Sequence, residues 1–297
     1  MSLFAVLRRN LARTLARYRH VPLVRVGTIY WRAMRLMLGG RPSPVGTVAQ
    51  RPERMVVVLT TIPARIGLLG PVLHSLIDQT EPADRILLAL PDRSRRTGAA
   101  YPDLAALQLP AGVQVLPCTD QGPATKLLPA LLAEPKAALV VVDDDVIYPR
   151  DFLANLLAAH RRWPQAALGL RGVRIDPACD FPNLRHVLCG GLVQPQPVDI
   201  LFGTWGYLVP PLALDAAVHQ LDAAPEPLRW VDDVWISGHL ARRGVPRMVI
   251  AAPTLPVETR ASWREALSDG PNRSGRNDAA AIAYFAADWS ASAGAQD

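Results

Sequence analysis

At 297 residues, 50% of them hydrophobic and 20% charged, the chain is long and apolar enough to bury a large core, which excludes a disordered polypeptide. Three cysteines, Cys118, Cys179 and Cys189, include no closely spaced pair, which excludes a disulfide scaffold and fits a reducing compartment. The net charge of +6 is unevenly placed: residues 1–54 hold eleven arginines, one glutamate and no lysine or aspartate, so the remainder is acidic by −4.

The first element is basic and amphipathic. Leu3, Phe4, Leu7, Leu11, Leu15 and Tyr18 recur at helical spacing, with Arg8, Arg9, Arg13 and Arg17 on the other face. That pattern reads as a helix lying in an anionic membrane interface, which sets the expected location: cytoplasmic, peripheral to the inner face of the membrane. A basic appendage packed on its own domain and an organellar transit peptide are the other readings. Stacking aromatics are few and no recognised module is visible, so no nucleic-acid partner is expected. Val21 to Leu38 is apolar but interrupted by Arg25, Arg32 and Arg35. Each would cost roughly 2.5–3.5 kcal/mol at a bilayer centre, so a spanning helix is not expected. After the Gly39–Pro44 stretch a boundary falls near residues 49–54, giving a helical extension over 1–54 and one domain over 55–297.

Downstream, strands and helices alternate. Strands are expected at Met55–Leu59, Arg85–Leu90, Val113–Leu116 and Ala137–Val142. Helices are expected at Leu68–Ile77, at Thr125–Leu132 with an interruption at Pro129, and at Phe152–His160. Continuous apolar strands between helices indicate an α/β sandwich around a mostly parallel sheet, with ligands outside the carboxyl ends of the strands. Residues 171–205 read as loop-rich, and Ala279 to Trp289 as one apolar helix.

Three aspartates, Asp143, Asp144 and Asp145, close the strand Ala137–Val142. Like charges in a row repel, and a bound Mg2+ or Mn2+ with its hard oxygen ligands relieves the repulsion; a solvated acidic turn is the plainer alternative. A second acidic pair, Asp232 and Asp233, opens a helix whose apolar positions include Val231, Val234, Trp235 and Leu240. There the acids either complement the helix dipole or supply a general base. Thr61 and Arg65 follow the first strand, and Lys126, one of two lysines in the chain, sits in the turn Gly122–Leu127. These groups suit a nucleotide's phosphates, although the spacing is not that of a P-loop. Cys179, His186 and Cys189 lack a fourth zinc ligand at a usual spacing.

In order, Val56-Val-Val-Leu-Thr-Thr-Ile-Pro63, His74-Ser-Leu-Ile-Asp-Gln-Thr80, Val140-Val-Val-Asp-Asp-Asp-Val146, Gly206-Tyr207 and Val231-Asp-Asp-Val-Trp235 resemble a glycosyltransferase of the GT-A fold over about residues 55–251. The Ser-Leu-Ile-Asp-Gln-Thr piece is similar to family 2 enzymes, and the two aspartate motifs to inverting β-1,3-galactosyl- and N-acetylglucosaminyltransferases. The resemblance implies a nucleotide-sugar donor, expected to be a UDP-sugar, and a Mn2+ or Mg2+ that neutralises its diphosphate as leaving group. It implies a glycan or lipid-linked acceptor, as in polysaccharide biosynthesis. Carried over, Asp145 is the direct metal ligand and Asp143 contacts the metal, its water or the ribose, with Asp144 beside them. Thr61, Arg65 and Lys126 line the donor site, Asp92 or Asp120 meets the base and ribose, and Asp233, neighboured by Asp232, is the general base. Trp205 and Trp230 stack on a sugar or pack in the core.

The chain departs from the pattern in three places: Leu90-Pro91 precede Asp92, no histidine follows His239, and Asp232 stands where glutamate is usual. Two rivals are a haloacid-dehalogenase-like phosphatase and a non-catalytic, membrane-associated binding protein of the same fold. The phosphatase motif normally begins its domain, and here α/β structure precedes it.

Overall fold

The computed structural model describes residues 23–40, 51–103, 107–175, 184–264, 272 and 275–293. The expected helix over Leu3–Tyr18 lies outside them, as does Cys179. The first described element is helix α1 (Leu23–Met37), followed by β1 (Met55–Thr60), α2 (Gly70–Ile77), β2 (Arg85–Pro91) and β3 (Val113–Cys118). Then come α3 (Leu128–Ala133), β4 (Ala138–Val141), β5 (Val146–Ile147) and α4 (Phe152–Arg162). Six short strands follow: β6 (Ala167–Gly169), β7 (Arg171–Arg174), β8 (Arg185–Leu188), β9 (Gln196–Pro197), β10 (Ile200–Leu201) and β11 (Tyr207–Val209). The chain continues through α5 (Asp232–Arg242), β12 (Arg247–Val249), β13 (Val257–Glu258), α6 (Arg276–Tyr284) and α7 (Ala286–Ala293).

Eight strands form one sheet in the order β3-β2-β1-β4-β11-β6-β12-β9. β3, β2, β1 and β4 run parallel, as do β6 and β12, while β11 runs antiparallel to both neighbours and β9 to β12. This is the expected α/β architecture, a large, mostly parallel central sheet flanked by helices. From β1 the chain first builds outward through β2 and β3, then returns to add β4 on the other side. The β1–β4 junction is therefore a topological switch point, where open α/β sheets leave a crevice at the strands' carboxyl ends. Val56 to Leu59 and Leu139 to Val142 are at most 1% exposed, which explains why both segments are unbroken apolar runs.

Three expected elements are corrected. The helix expected over Thr125–Leu132 is a 3-10 turn, Gly122–Lys126, followed by α3, because Pro129 has no N–H for the Thr125 carbonyl and so begins a new helix instead of continuing one. The stretch 171–205 contains a three-stranded antiparallel sheet, β10-β7-β8, beside the main sheet. Ala279–Trp289 is two helices broken at Phe285, whose fully buried ring docks on Gly238 of α5. A Cβ at position 238 would stand 2.4 Å from that ring. Gly238→Ala is therefore expected to lower unfolding free energy by about 1–3 kcal/mol through overpacking, measurable by urea denaturation.

The Ser75–Thr80 piece is a scaffold. The Tyr148 backbone N–H donates to Ser75 Oγ at 3.0 Å. Gln79 donates to the Pro149 carbonyl at 2.7 Å and accepts from the Leu153 N–H at 3.0 Å. Asp78 pairs with Arg32 of α1 at 3.0 Å and Arg150 at 3.1 Å. Together they fasten the loop that follows the acidic triplet and tie α1 to the body.

Candidate active site

The end of β4 carries Asp143, Asp144 and Asp145 into a cavity of about 620 Å³ at the switch point. Thr60, Thr61 and Arg65 reach it from the end of β1, Asp120, Gly122 and Lys126 from the segment after β3, and Asp232 and Asp233 from the first turn of α5. The two acidic stations, remote in sequence, thus face one cavity. Trp205 and Trp230 also line it, while Asp92 is exposed and does not. Asp92 is thereby set apart from the other candidates.

Each carboxylate has its own surroundings. Asp144 is buried, accepting from Thr61 Oγ1 at 2.6 Å and Arg65 Nη1 at 2.9 Å. It organises the β1 loop. Arg65 also reaches Asp145 at 3.2 Å, so one guanidinium spans two neighbouring acids. Asp143 Oδ2 accepts from the Trp205 N–H at 3.0 Å, and its own N–H donates to the Tyr148 hydroxyl at 2.7 Å. Trp205 adopts a φ of 74°, strained for a residue with a side chain, and the Gly203–Gly206 turn holds it there through a 2.8 Å hydrogen bond. Asp120 accepts from the Gly122 N–H at 2.7 Å and Thr125 Oγ1 at 3.2 Å, closing the turn that presents Lys126.

In α5 the acids are not side-chain caps: Val231 is the N-cap and no side-chain cap bond is made. Asp232 pairs with Lys126 at 2.9 Å, and Asp233 Oδ1 accepts from the Gly203 N–H at 2.8 Å. A Cβ at position 203 would stand 2.5 Å from Lys126 Nζ and 2.9 Å from Asp233 Oδ1, so a side chain there would displace one of the two. Lys126 was expected among donor-site groups; it lines the cavity, with its charge already matched to Asp232.

Burial, with repulsion from Asp145 and Asp233, raises Asp143 to about 8 although Lys126 opposes it. Burial and the neighbouring Asp144 raise Asp145 to about 6, and burial with Asp232 raises Asp233 to about 7. Burial pulls Lys126 down, but Asp232, Asp233 and Asp143 outweigh it and hold its ammonium well above the ordinary value. The cavity is an under-compensated acidic pocket.

Such a pocket suits a divalent cation. Among the described residues no three His, Cys, Asp or Glu side chains are grouped to hold a metal ion by themselves, so a cation at Asp143 and Asp145 would have to complete its shell with phosphate oxygens and water. His239 is buried against Trp235 and Phe285 and supplies no ligand there. Some cavity residues escaped the sequence. Tyr101 donates to the Thr61 carbonyl at 2.6 Å, and Asn272 to the Trp230 carbonyl at 2.7 Å. Glu258 lines the cavity beside Asp145 because β13 pairs with β5, and Asp278 arrives on α6. Only tertiary contacts bring these four in, and no local spacing marks them.

The sequence matches no protein-family model and no curated protein. Among solved structures, the chain is similar to a crystal structure of S. aureus TarS 1-349, with 14% identity, 79% of this chain and 65% of that one covered, and a TM-score of 0.46. It thus spans slightly less than two thirds of that chain. It is also similar to the mannosyltransferase PcManGT from Pyrobaculum calidifontis in complex with GDP-Man and Mn2+, with 18% identity, 96% and 84% covered, and a TM-score of 0.45.

Proposed function

We propose that the chain is a divalent-metal-dependent glycosyltransferase of the GT-A type, moving a sugar from a nucleotide-sugar to a glycan or lipid-linked acceptor with inversion. The observation that carries this is the convergence of Asp143 and Asp145 with Asp232 and Asp233 on one cavity at the switch point. Two acidic stations with different partners match two jobs. Asp143 and Asp145 would hold Mn2+ or Mg2+, which supplies charge neutralisation for a departing diphosphate. Arg65 and Lys126 add fixed positive charge around the donor's phosphates, and Asp120, which of the two candidates lines the cavity, is the carboxylate for its ribose or base. Asp233, raised to about 7, is tuned for accepting a proton near neutral pH from an attacking hydroxyl. Attack from the face opposite the nucleotide inverts the anomeric carbon.

A thermal-shift panel tests this reading, with UDP- and GDP-linked sugars each measured with and without Mn2+ on the wild type and on Asp145→Ala. A donor at a hundred times its dissociation constant adds about 2.7 kcal/mol of stability. The expected result is a Mn2+-dependent shift with one nucleotide, lost in Asp145→Ala. No shift with any nucleotide, together with phosphate release from simple esters, would replace the transferase by a phosphatase.

We also propose peripheral contact with an anionic membrane surface. The eleven arginines and single glutamate of residues 1–54 support it. No helix among the described residues is long and apolar enough to cross a membrane.

A further inference from the structure

α1 is sorted into two faces that do opposite things. Ala33 and Leu36, each 1% exposed, pack on Ile147 and Val257 in a small core of their own. Arg25 and Arg32 also find partners on the body, Asp151 at 3.1 Å and Asp78 at 3.0 Å. The opposite stripe, continued one residue past the helix, bears Val24, Trp31, Met34 and Leu38, exposed by 83%, 59%, 53% and 81%. These positions recur at helical spacing on one face, with Gly27 and Thr28 between Val24 and the Trp31–Leu38 group. Large apolar side chains exposed together on one helix mark an interaction surface.

We propose that this stripe docks the protein on a lipid bilayer rich in anionic headgroups, a proposal that rests on the peripheral-membrane reading and names the surface that performs it. Charge complementarity selects the occupant. Of the three arginines in residues 23–40, Arg25 and Arg32 are paired with the body, Arg35 flanks the stripe beside Trp31, and the segment holds no acid; residues 1–22 add five arginines and no acid. A second copy would bring Arg35 and the five arginines of residues 1–22 towards their own counterparts across a two-fold axis, with no acid in either segment to pair them. An anionic interface instead accepts the arginines while the apolar stripe enters the acyl boundary. Trp31, with the Arg35 guanidinium 5.9 Å from its ring centroid, has the amphipathic character favoured at that depth.

The placement also bears on the acceptor. Beneath α1 lies a cavity of about 250 Å³ walled by Ile29, Ile147, Tyr148 and Val257. The ribbon of β5 and β13 separates it from the acidic cavity: Ile147 and Val257 face α1, while Val146 and Glu258 face the acids. The docking surface is thus separated from the site by α1 itself and one two-stranded ribbon, a short path that favours an acceptor carried on a lipid.

Flotation of the full chain with phosphatidylcholine vesicles, with and without phosphatidylglycerol, tests the proposal against a Trp31→Ser, Met34→Ser, Leu38→Ser triple variant. All three side chains are exposed, so the variant should keep the wild-type melting temperature. The wild type is expected to float with the anionic vesicles, and the triple variant to partition on the order of tenfold less. Brominated lipid should quench the wild type more than Trp31→Phe. Equal flotation of wild type and triple variant would overturn the stripe and leave residues 1–22 as the contact. Failure of the wild type to float would overturn the membrane reading as well. A wild-type dimer that the triple variant dissolves, without flotation, would assign the stripe to a second copy. None of these outcomes touches the donor-dependent thermal shift, which tests the transferase separately.

Discussion

Asp233→Asn is expected to lower turnover by roughly 10²- to 10⁴-fold while leaving the donor-induced thermal shift in place. The substitution is nearly isosteric, and the amide oxygen can still accept from the Gly203 N–H now held at 2.8 Å. Geometry should therefore survive, and what disappears is the capacity to take a proton from the acceptor. Asp232 is poorly placed to substitute, because its carboxylate is 2.9 Å from Lys126 and carries that ion pair. Asp232→Asn should therefore weaken donor binding and stability more than it weakens proton abstraction. Steady-state kinetics with saturating donor separate the two: Asp233→Asn should lose kcat with little change in donor KM. Wild-type turnover in Asp233→Asn, with loss in Asp232→Asn, would exchange the roles.

Most of the frame was legible because burial writes a simple pattern. Met55–Leu59 and Ala138–Val141 are strands buried on both faces, so they appear as unbroken apolar runs, and charge beginning after Val142 marks where β4 leaves the core. The α5 acids were legible because Val234, Trp235 and Leu240 give a helical face with an abrupt start. Long-range pairing was not. Lys126 looks in sequence like a phosphate contact, and only the fold brings Asp232 to it. β7 and β8 were hidden because Arg171, Arg174 and Arg185 occupy strand positions that periodicity assigns to a loop. The break at Phe285 leaves no trace in composition, because its ring is buried in a space left open by a residue of another helix, Gly238. The Ser75–Thr80 motif was legible as a motif, yet its hydrogen bonds serve the loop behind the acids and none reaches the cavity side.

Lys126→Met is expected to cost about 3–5 kcal/mol of stability at pH 8, the range for removing one partner of a buried ion pair, and clearly less at pH 5. Lys126 is held above its ordinary value and is fully charged throughout that window, so its own titration contributes no slope. The slope comes from the acids. With Asp143 at about 8, Asp145 at about 6 and Asp233 at about 7, the folded chain binds more protons than the unfolded chain, where carboxylates titrate near 3.8. Stability without metal therefore falls as pH rises from about 4 towards 8. Lys126 holds Asp143, Asp145 and Asp233 lower than they would otherwise sit, so its loss raises all three and steepens that fall. A cation bound by Asp143 and Asp145 needs them ionised, so added Mn2+ should stabilise more at pH 8 than at pH 5 and flatten the wild-type profile. Urea unfolding of wild type and Lys126→Met at both pH values, with Mn2+ or EDTA, reads every part of this. A pH-independent cost for Lys126→Met would show that Lys126 is a packing residue and that the acids are neutralised by other means.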